Sequence, residues 1–392
     1  MVPTVKQSLP GTSIEAALGA PAATFVDLRS PSEFAQDHVP GAVNVPLFDD
    51  DERALIGTLY AQRSPEVAFG EALAATRRRI GDLAREVGAL AGWEVPPGDP
   101  VALVEALTAG GMRELESRLA AVQRGAVDGA VVLYCWRGQL RSKSVTAYLT
   151  LLGLERATLL VGGYKGYRKF VLELLAGWAS PPAVVLRGWT GVGKTLVLRE
   201  LERQRPGWTL DLELAAGHRS SILGMVGLQP VTQRRFDSRL AERIRAGFPG
   251  GVVVFEGESR KVGDAVQPER VWRALDQGEN VRLATSLERR VAVLADDYLA
   301  HDASRAQLAR QLPFIEARLG STKYAGVLVG LLEAGRITEL VELLLERYYD
   351  PLYAHSEKDR VYLAEFDATD PATCAREIAD FIERRRSRLA GA

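Results

Sequence analysis

Short apolar runs bounded by turn formers, interleaved with stretches of helical spacing, predict an α/β chain. Ala23-Thr24-Phe25-Val26-Asp27-Leu28 reads as a strand, and Ser30 then N-caps a short helix with Pro31 at its first position. Residues 39–46 read as a turn and a second short strand. The pattern at about 65–124 is mostly helical, broken by the Pro- and Gly-rich stretch 92–100. Ala130-Val131-Val132-Leu133-Tyr134 is unbroken and apolar, as suits a strand covered on both faces. Val145, Tyr148, Leu149 and Leu152 then fall on one helical face, and Leu159-Leu160-Val161 before Gly162-Gly163 reads as strand and turn.

Residues 177–182 combine Gly, Ser and two prolines and predict a domain boundary. The expected domains are 1–178, carrying a helical insert at about 65–124, and 183–392. In the second, Ala183-Val184-Val185-Leu186-Arg187 and Gly251-Val252-Val253-Val254-Phe255-Glu256 read as buried parallel strands, with Asn280-Val281-Arg282-Leu283-Ala284 as a third. From Leu287 onward the pattern is mainly helical, ending in a basic helix at about 378–389. No internal repeat is visible.

Composition narrows the class only slightly. At 392 residues, 47% hydrophobic and 25% charged, the chain is long enough for two or three domains with their own cores. Its formal net charge of −1 gives no global field for nucleic acid, although arginines cluster at 77–79, 234–235, 289–290 and 384–388. Two cysteines are too few for a disulfide framework or a cysteine-built zinc site. No stretch approaches the roughly 20 apolar residues of a membrane span. The expectation is a cytoplasmic protein whose thiols stay reduced, with no membrane contact and no obligate protein partner inferable.

Two loops carry the candidate chemistry. Gly188-Trp189-Thr190-Gly191-Val192-Gly193-Lys194-Thr195 fits G-x-x-x-x-G-K-[ST] between a predicted strand and helix. Glycines let successive N–H groups point inward, the helix N-terminus adds partial positive charge, Lys194 offers a point charge, and the Thr195 hydroxyl suits Mg²⁺. Glu256 ends a strand where a carboxylate either orders Mg²⁺ through water or pairs with a nearby arginine, and Glu258 lies just beyond.

The other loop is Cys135-Trp136-Arg137-Gly138-Gln139-Leu140-Arg141-Ser142. An unassisted thiol with a pKa of about 8.5 is only about 3% thiolate at neutral pH. Arg137, Arg141 and a helix starting just after the loop all lower a thiol pKa, and with Gly138 they describe a polar concave loop rather than an inert buried cysteine. Cys374, at a helix start, reads as structural.

Phe25-Val26-Asp27-Leu28-Arg29-Ser30, Glu33-Phe34 and the run from His38 to Pro46 resemble the opening of a rhodanese domain, in which a sulfur-carrying cysteine follows a central strand. A rhodanese domain ahead of a P-loop domain is the layout of the tRNA 2-selenouridine synthase family. Tyr134-Cys135-Trp136-Arg137-Gly138 with Arg141-Ser142 resembles that family's active loop. Further resemblances lie in Gly162-Gly163-Tyr164-Lys165, Gly217-His218-Arg219-Ser220-Ser221, Gln229 with Gln233 and Phe236, and Glu256-Gly257-Glu258-Ser259-Arg260. Gln139 departs from the pattern, standing where the family usually has a second glycine.

The resemblance implies a rhodanese-like domain followed by a P-loop NTPase-like parallel-sheet domain with a helical C-terminal part. It implies a tRNA-modifying transferase that converts wobble 2-thiouridine to 2-selenouridine. Selenophosphate and geranyl diphosphate would be co-substrates, S-geranyl-2-thiouridine the intermediate, and Mg²⁺ an accessory at Thr195 and Glu256. By the same inference Cys135 is the thiolate of the selenium step, with Arg137 and Arg141 holding it and the selenophosphate anion. The cradle of Gly188, Thr190, Gly191, Gly193, Lys194 and Thr195 grips a diphosphate. Glu256, Glu258 and Arg260 line the same pocket, and His218 and Arg219 meet phosphate or RNA. The seven-residue span from Cys135 to Arg141 equals that of phosphatases sharing the rhodanese fold and suits an anion of phosphate size. Two other readings stand beside this one: a P-loop kinase or NTPase with a regulatory rhodanese module, and a non-catalytic RNA-binding protein.

Overall fold

The computed structural model describes residues 8–125, 127–219, 223, 224, 226, 228–299, 302–320, 322–352 and 360–390. Ser220, Ser221 and Ile222 lie outside the described residues. The chain divides into two compact units between Glu173 and Leu174. The division falls inside the helix Gly163–Gly177.

The first unit is built on six parallel strands: β1 (Leu9–Thr12), β2 (Thr24–Asp27), β3 (Val43–Asn44), β4 (Val122–Arg124), β5 (Val131–Tyr134) and β6 (Ala157–Leu160). Their order is β3-β2-β5-β6-β1-β4. Every residue of β5 is buried, which explains its unalternated apolar run. β1 contains Pro10 and Gly11, poor strand formers held extended by pairing with β4 and β6. β4 falls inside the stretch expected to be helical and is wholly exposed.

The insert supplies the helices Pro65–Ala91, Pro100–Thr108 and Gly111–Arg118. The longest is capped by Ser64, whose hydroxyl accepts from the Val67 N–H, and stops at Gly92 in the left-handed region. Ile80, Leu83, Ala84, Val87 and Ala91 form its buried stripe against the sheet core. A further helix, Asp50–Gln62, was not legible beforehand: it begins with an Asp49/Glu52 capping box but buries none of its residues.

The second unit has four parallel strands, β7 (Ala183–Arg187), β8 (Val253–Glu256), β11 (Glu279–Ala284) and β12 (Tyr362–Asp367), in the order β12-β11-β7-β8. Between β8 and β11 sits a short antiparallel hairpin, β9 (Lys261–Val262) and β10 (Ala265–Val266). β12 is a strand within the C-terminal part expected to be mainly helical. It is an edge strand only partly covered on one face, and its extended state comes from its pairing with β11. The helix Pro371–Ala390 returns Cys374, Ile378 and Ile382 onto the core formed by Val197, Leu198 and Leu201. A separate core of Leu308, Leu312, Ile315, Leu340 and Leu344 holds the helices after Leu287 together.

In each sheet one strand lies where the chain reverses its direction of winding. β2 has β3 on one side and β5 on the other; β7 has β8 on one side and β11 on the other. Ligands of such sheets bind outside the carboxyl ends at that reversal. Cys135 follows β5 there and Gly188 follows β7 there.

Candidate functional sites

Cys135 is 3% exposed and forms part of the wall of a cavity of about 860 Å³ within the first unit. Its Sγ lies 3.2 Å from the Ser142 Oγ. Burial works to raise the thiol pKa, but the charge of Arg141 and hydrogen bonds from the Ser142 side chain and the Ser142 and Gln139 N–H groups outweigh it. The thiol is held below its ordinary value. Arg137 is exposed at the cavity rim, and Arg141 is half-buried with its Nη1 3.9 Å from Glu33 Oε2.

Two guanidinium nitrogens at this cavity are buried without a hydrogen-bond partner: Arg141 Nη1 and Arg53 Nε. Their nearest carboxylate is Glu33, 3.6 Å from Arg53 Nε. Unsatisfied buried donors beside a thiolate fit an anion that brings its own oxygens. Arg53 was not singled out from the sequence, because it sits on the helix Asp50–Gln62, whose pattern gave no signal.

The loop is held from behind. The Tyr164 N–H donates to the Cys135 carbonyl at 2.9 Å and the Lys165 N–H to the Trp136 carbonyl at 2.8 Å. The Tyr164 hydroxyl donates to Asp37 Oδ2 at 2.9 Å, and its ring lies under the Arg29 guanidinium at 3.8 Å. Arg29 is in turn paired with Asp27 at 2.6 Å, both fully buried. Removing one member of such a pair strands a charge and costs about 3–5 kcal/mol. Gln139, at φ −110°, takes an ordinary backbone, so no glycine is needed there.

Gly163 is the tightest point of this support. At φ 55° it is left-handed, and a methyl group on it would overlap the Cys135 carbonyl and the Gly138 N–H. Gly163→Ala is therefore expected to destabilise the first unit by more than the ~1–3 kcal/mol of a strained left-handed residue. Thermal unfolding checks the loss; an unchanged melting temperature would show that the loop yields freely.

The thiol's electrostatics give a second expectation. Arg141→Gln removes the largest favourable contribution while burial remains, so the thiol pKa moves up. Each unit above the ambient pH costs tenfold in thiolate. Iodoacetamide alkylation of Cys135 against pH should show a midpoint below the ordinary thiol value in the wild type and a higher one in the variant. Coincident midpoints would contradict this.

In the second unit, Gly188 to Thr195 curls between β7 and the helix Lys194–Gln204. Gly188 is at φ 147°, and a Cβ there would stand 2.6 Å from the Leu283 carbonyl. Lys194 Nζ donates to the Gly188 carbonyl at 2.9 Å. Thr190, Gly191, Gly193, Lys194 and Thr195 face a cavity of about 1020 Å³ within this unit. Arg290, buried at 5% exposure, donates to the Thr190 carbonyl at 2.8 Å and pairs with Asp350. It braces the loop and is thereby withdrawn from the surface cluster in which the sequence placed it.

Thr195 Oγ1 lies 2.9 Å from Glu256 Oε2 and 3.1 Å from Glu213 Oε2. A hydroxyl has one proton, so it can donate to only one of these; the other contact needs a protonated carboxyl. The electrostatics agree. Burial, then the charge of Glu258, raises Glu213 to about 8, and burial and Glu213 hold Glu256 well above the usual range. Glu256 thus does not pair with an arginine. Glu213 was missed because Leu212–Ala216 is too short to give a periodicity and nothing else marks it.

His218, Arg219 and Glu258 face the same cavity, whereas Glu256 lies buried beneath Thr195. Arg260 does not line it. The residue opens the β9–β10 hairpin, is exposed, and donates to Glu269 at 2.7 Å, because the hairpin turns its side chain toward the helix Glu269–Asp276. Cys374 is wholly buried and its thiol is raised to about 12 by burial first and nearby carboxylates second, so it is inert. Among the described residues no group of three or more His, Cys, Asp or Glu is arranged to hold a metal by itself, and no helix is long and apolar enough to cross a membrane.

A parallel sheet presenting a low-pKa thiol, followed by a parallel sheet opening on a glycine-rich phosphate-type loop, defines a rhodanese-like unit joined to a P-loop unit. Family comparison agrees on both. The profile of the rhodanese-like domain matches residues 12–81, and that described as the tRNA 2-selenouridine synthase AAA domain matches residues 181–381. A tRNA 2-selenouridine synthase of Bordetella petrii is 32% identical, covering 85% of this chain and 87% of the relative. One of Cupriavidus pinatubonensis is 29% identical over 93% of this chain and 95% of the relative. The chain belongs to the tRNA 2-selenouridine synthase family.

Proposed function

We propose that the protein replaces the sulfur of wobble 2-thiouridine in tRNA by selenium, by way of an S-geranyl intermediate. Domain 183–392 would transfer the geranyl group and domain 1–178 would perform the selenium step. The observation that carries this reading is the presence, in one chain, of a buried but cavity-facing low-pKa thiol and a glycine-rich loop of phosphate-binding geometry. Names of the relatives support the tRNA and selenium parts.

In the first step the thiouridine sulfur attacks C1 of geranyl diphosphate. The C–S bond forms as the C–O bond breaks, and diphosphate leaves with the electron pair. The N–H groups of Gly191 and Gly193 and the ammonium of Lys194 receive that charge, which grows toward the transition state. Leu214, Val293 and Leu294 line the same cavity and suit the hydrocarbon part. Thr195, Glu213 and Glu256 offer hard oxygen donors that would hold a Mg²⁺, whose charge would help neutralise the leaving diphosphate. In the second step the Cys135 thiolate adds to C2 and the geranyl thiol departs with the C2–S bond electrons and a proton; the selenium of selenophosphate then adds to C2 as Cys135 leaves as thiolate, and water cleaves the P–Se bond to release phosphate. Cys135 serves as the thiolate of this step, and Arg53, Arg137 and Arg141 hold the selenophosphate oxygens.

The test is incubation with 2-thiouridine tRNA, geranyl diphosphate and selenophosphate, followed by digestion to nucleosides. Geranylated and then selenated uridine are expected. Neither product, together with ATP turnover indifferent to tRNA, would replace this reading by a P-loop NTPase with a regulatory rhodanese module. Binding to tRNA should weaken with salt, as phosphate contacts demand.

A further inference from the structure

The cavity beside Cys135 is far larger than the anion it would need to admit. Selenophosphate has five heavy atoms, on the order of 150 Å³ at ~30 Å³ for each water-sized group. The cavity is about 860 Å³, within the range that encloses a drug-sized molecule. Arg53, Arg137, Gln139 and Arg141 line it with Cys135, and Thr76, Thr108, Glu116 and Lys143 add further polar groups. Most of the wall is apolar, with Ile56 and the insert side chains Phe69, Leu73, Leu107 and Met112 among its residues.

The helix Asp50–Gln62 adds a second, independent sign. A helix of a folded domain ordinarily buries an apolar stripe. This one buries no residue, yet Ile56, Gly57 and Tyr60 line the cavity, with Tyr60 63% exposed.

We infer that this cavity binds the hydrocarbon chain of an S-prenylated thiopyrimidine, with the sulfur-bearing carbon turned toward Cys135 and the chain lying along the insert helices. The inference rests on the S-geranyl route proposed above and deepens it. The chain has one apolar site in the second unit while it is part of the donor and another in the first unit when it leaves as geranyl thiol. An apolar site matched to the leaving group explains why prenylation precedes exchange: the chain positions C2 beside the thiol and the anion site. No bond within the chain is made or broken in the first unit: at C2 the bond to the geranyl sulfur breaks and a bond to selenium is finally formed, the P–Se bond is cleaved by water to phosphate, and the sulfur departs with its chain.

The primary experiment is a protection assay on the full chain that needs no turnover. Saturating geraniol should slow iodoacetamide alkylation of Cys135 at least fivefold, with n-propanol at equal concentration giving no protection. Ile56→Trp and Met112→Trp fill the cavity from two sides. Each should raise the half-protecting geraniol concentration tenfold or more, with its rate without geraniol as the internal reference, so that if one variant does not fold the other decides. Absence of geraniol protection in the wild type, or protection unaltered by either folded variant, would overturn the inference.

A second measurement separates it from the reading on which it rests. Selenation of tRNA carrying S-geranyl-2-thiouridine, compared with S-methyl-2-thiouridine, should favour the geranyl substrate in the wild type and lose at least tenfold of that preference in the variants. Protection by geraniol without selenation of either tRNA would leave the chain site standing and refute the S-geranyl route. Selenation with an unchanged preference would refute the chain site and leave the route standing.

Discussion

Replacing Cys135 by alanine is expected to abolish selenium incorporation into tRNA, by about a thousandfold or more, while leaving geranylation measurable. The expectation follows from the role proposed for Cys135: its Sγ would be the nucleophile in the first unit's cavity, with the Arg141 charge and the Ser142 hydrogen bonds holding its pKa down. Alanine removes the sulfur but keeps every backbone bond that holds the loop, so the melting temperature should change little. The measurement is nucleoside analysis of tRNA supplied as the S-geranyl form, which bypasses the P-loop step. Selenation persisting within tenfold of wild type would show that selenophosphate delivers selenium directly, with the loop acting only as an anion holder.

Lys194→Ala is expected to have the second largest effect, reducing geranyl transfer by on the order of 10²–10³-fold, the usual cost of losing one donor to a developing anion. Lys194 Nζ now bonds the Gly188 carbonyl, a contact that a bound diphosphate would take over. Its removal also leaves Glu213 without its nearby opposing charge, so diphosphate affinity should fall with kcat. Selenation of pre-geranylated tRNA should be reduced far less. Equal losses in both assays would mean that the P-loop serves the selenium step as well.

The two losses fall on different substrates because the chemistry lies in two loops, and both loops were legible as residues. A cysteine after an all-apolar run, followed by two arginines, and a P-loop pattern between strand and helix are local signals, since each needs only the backbone path of a few adjacent residues. The same holds for β2, β5, β7, β8 and β11 and for the long insert helix, whose apolar spacing reflects burial on a known period. β1, β4 and β12 were not legible. Pro10, Gly11 and the half-covered β12 run have no intrinsic call to be extended, and only a neighbouring strand makes them so. Helix Asp50–Gln62 escaped for the opposite reason, being helical by its cap and not by its burial.

What the amino-acid order determined alone was the pair of sheet-based units and the positions of the two candidate loops after their strands, because strand burial, turn chemistry and helix starts are set within a few residues. What tertiary structure decided was how those loops are charged and enclosed. Glu213 meets Thr195 across 18 positions and Arg290 meets Thr190 across 100, and Tyr164 reaches Asp37 across 127. Such contacts, and the hollow left beside Cys135 by helix Asp50–Gln62 and the three insert helices, depend on distances between side chains remote in sequence, where pKa, strain and cavity shape arise.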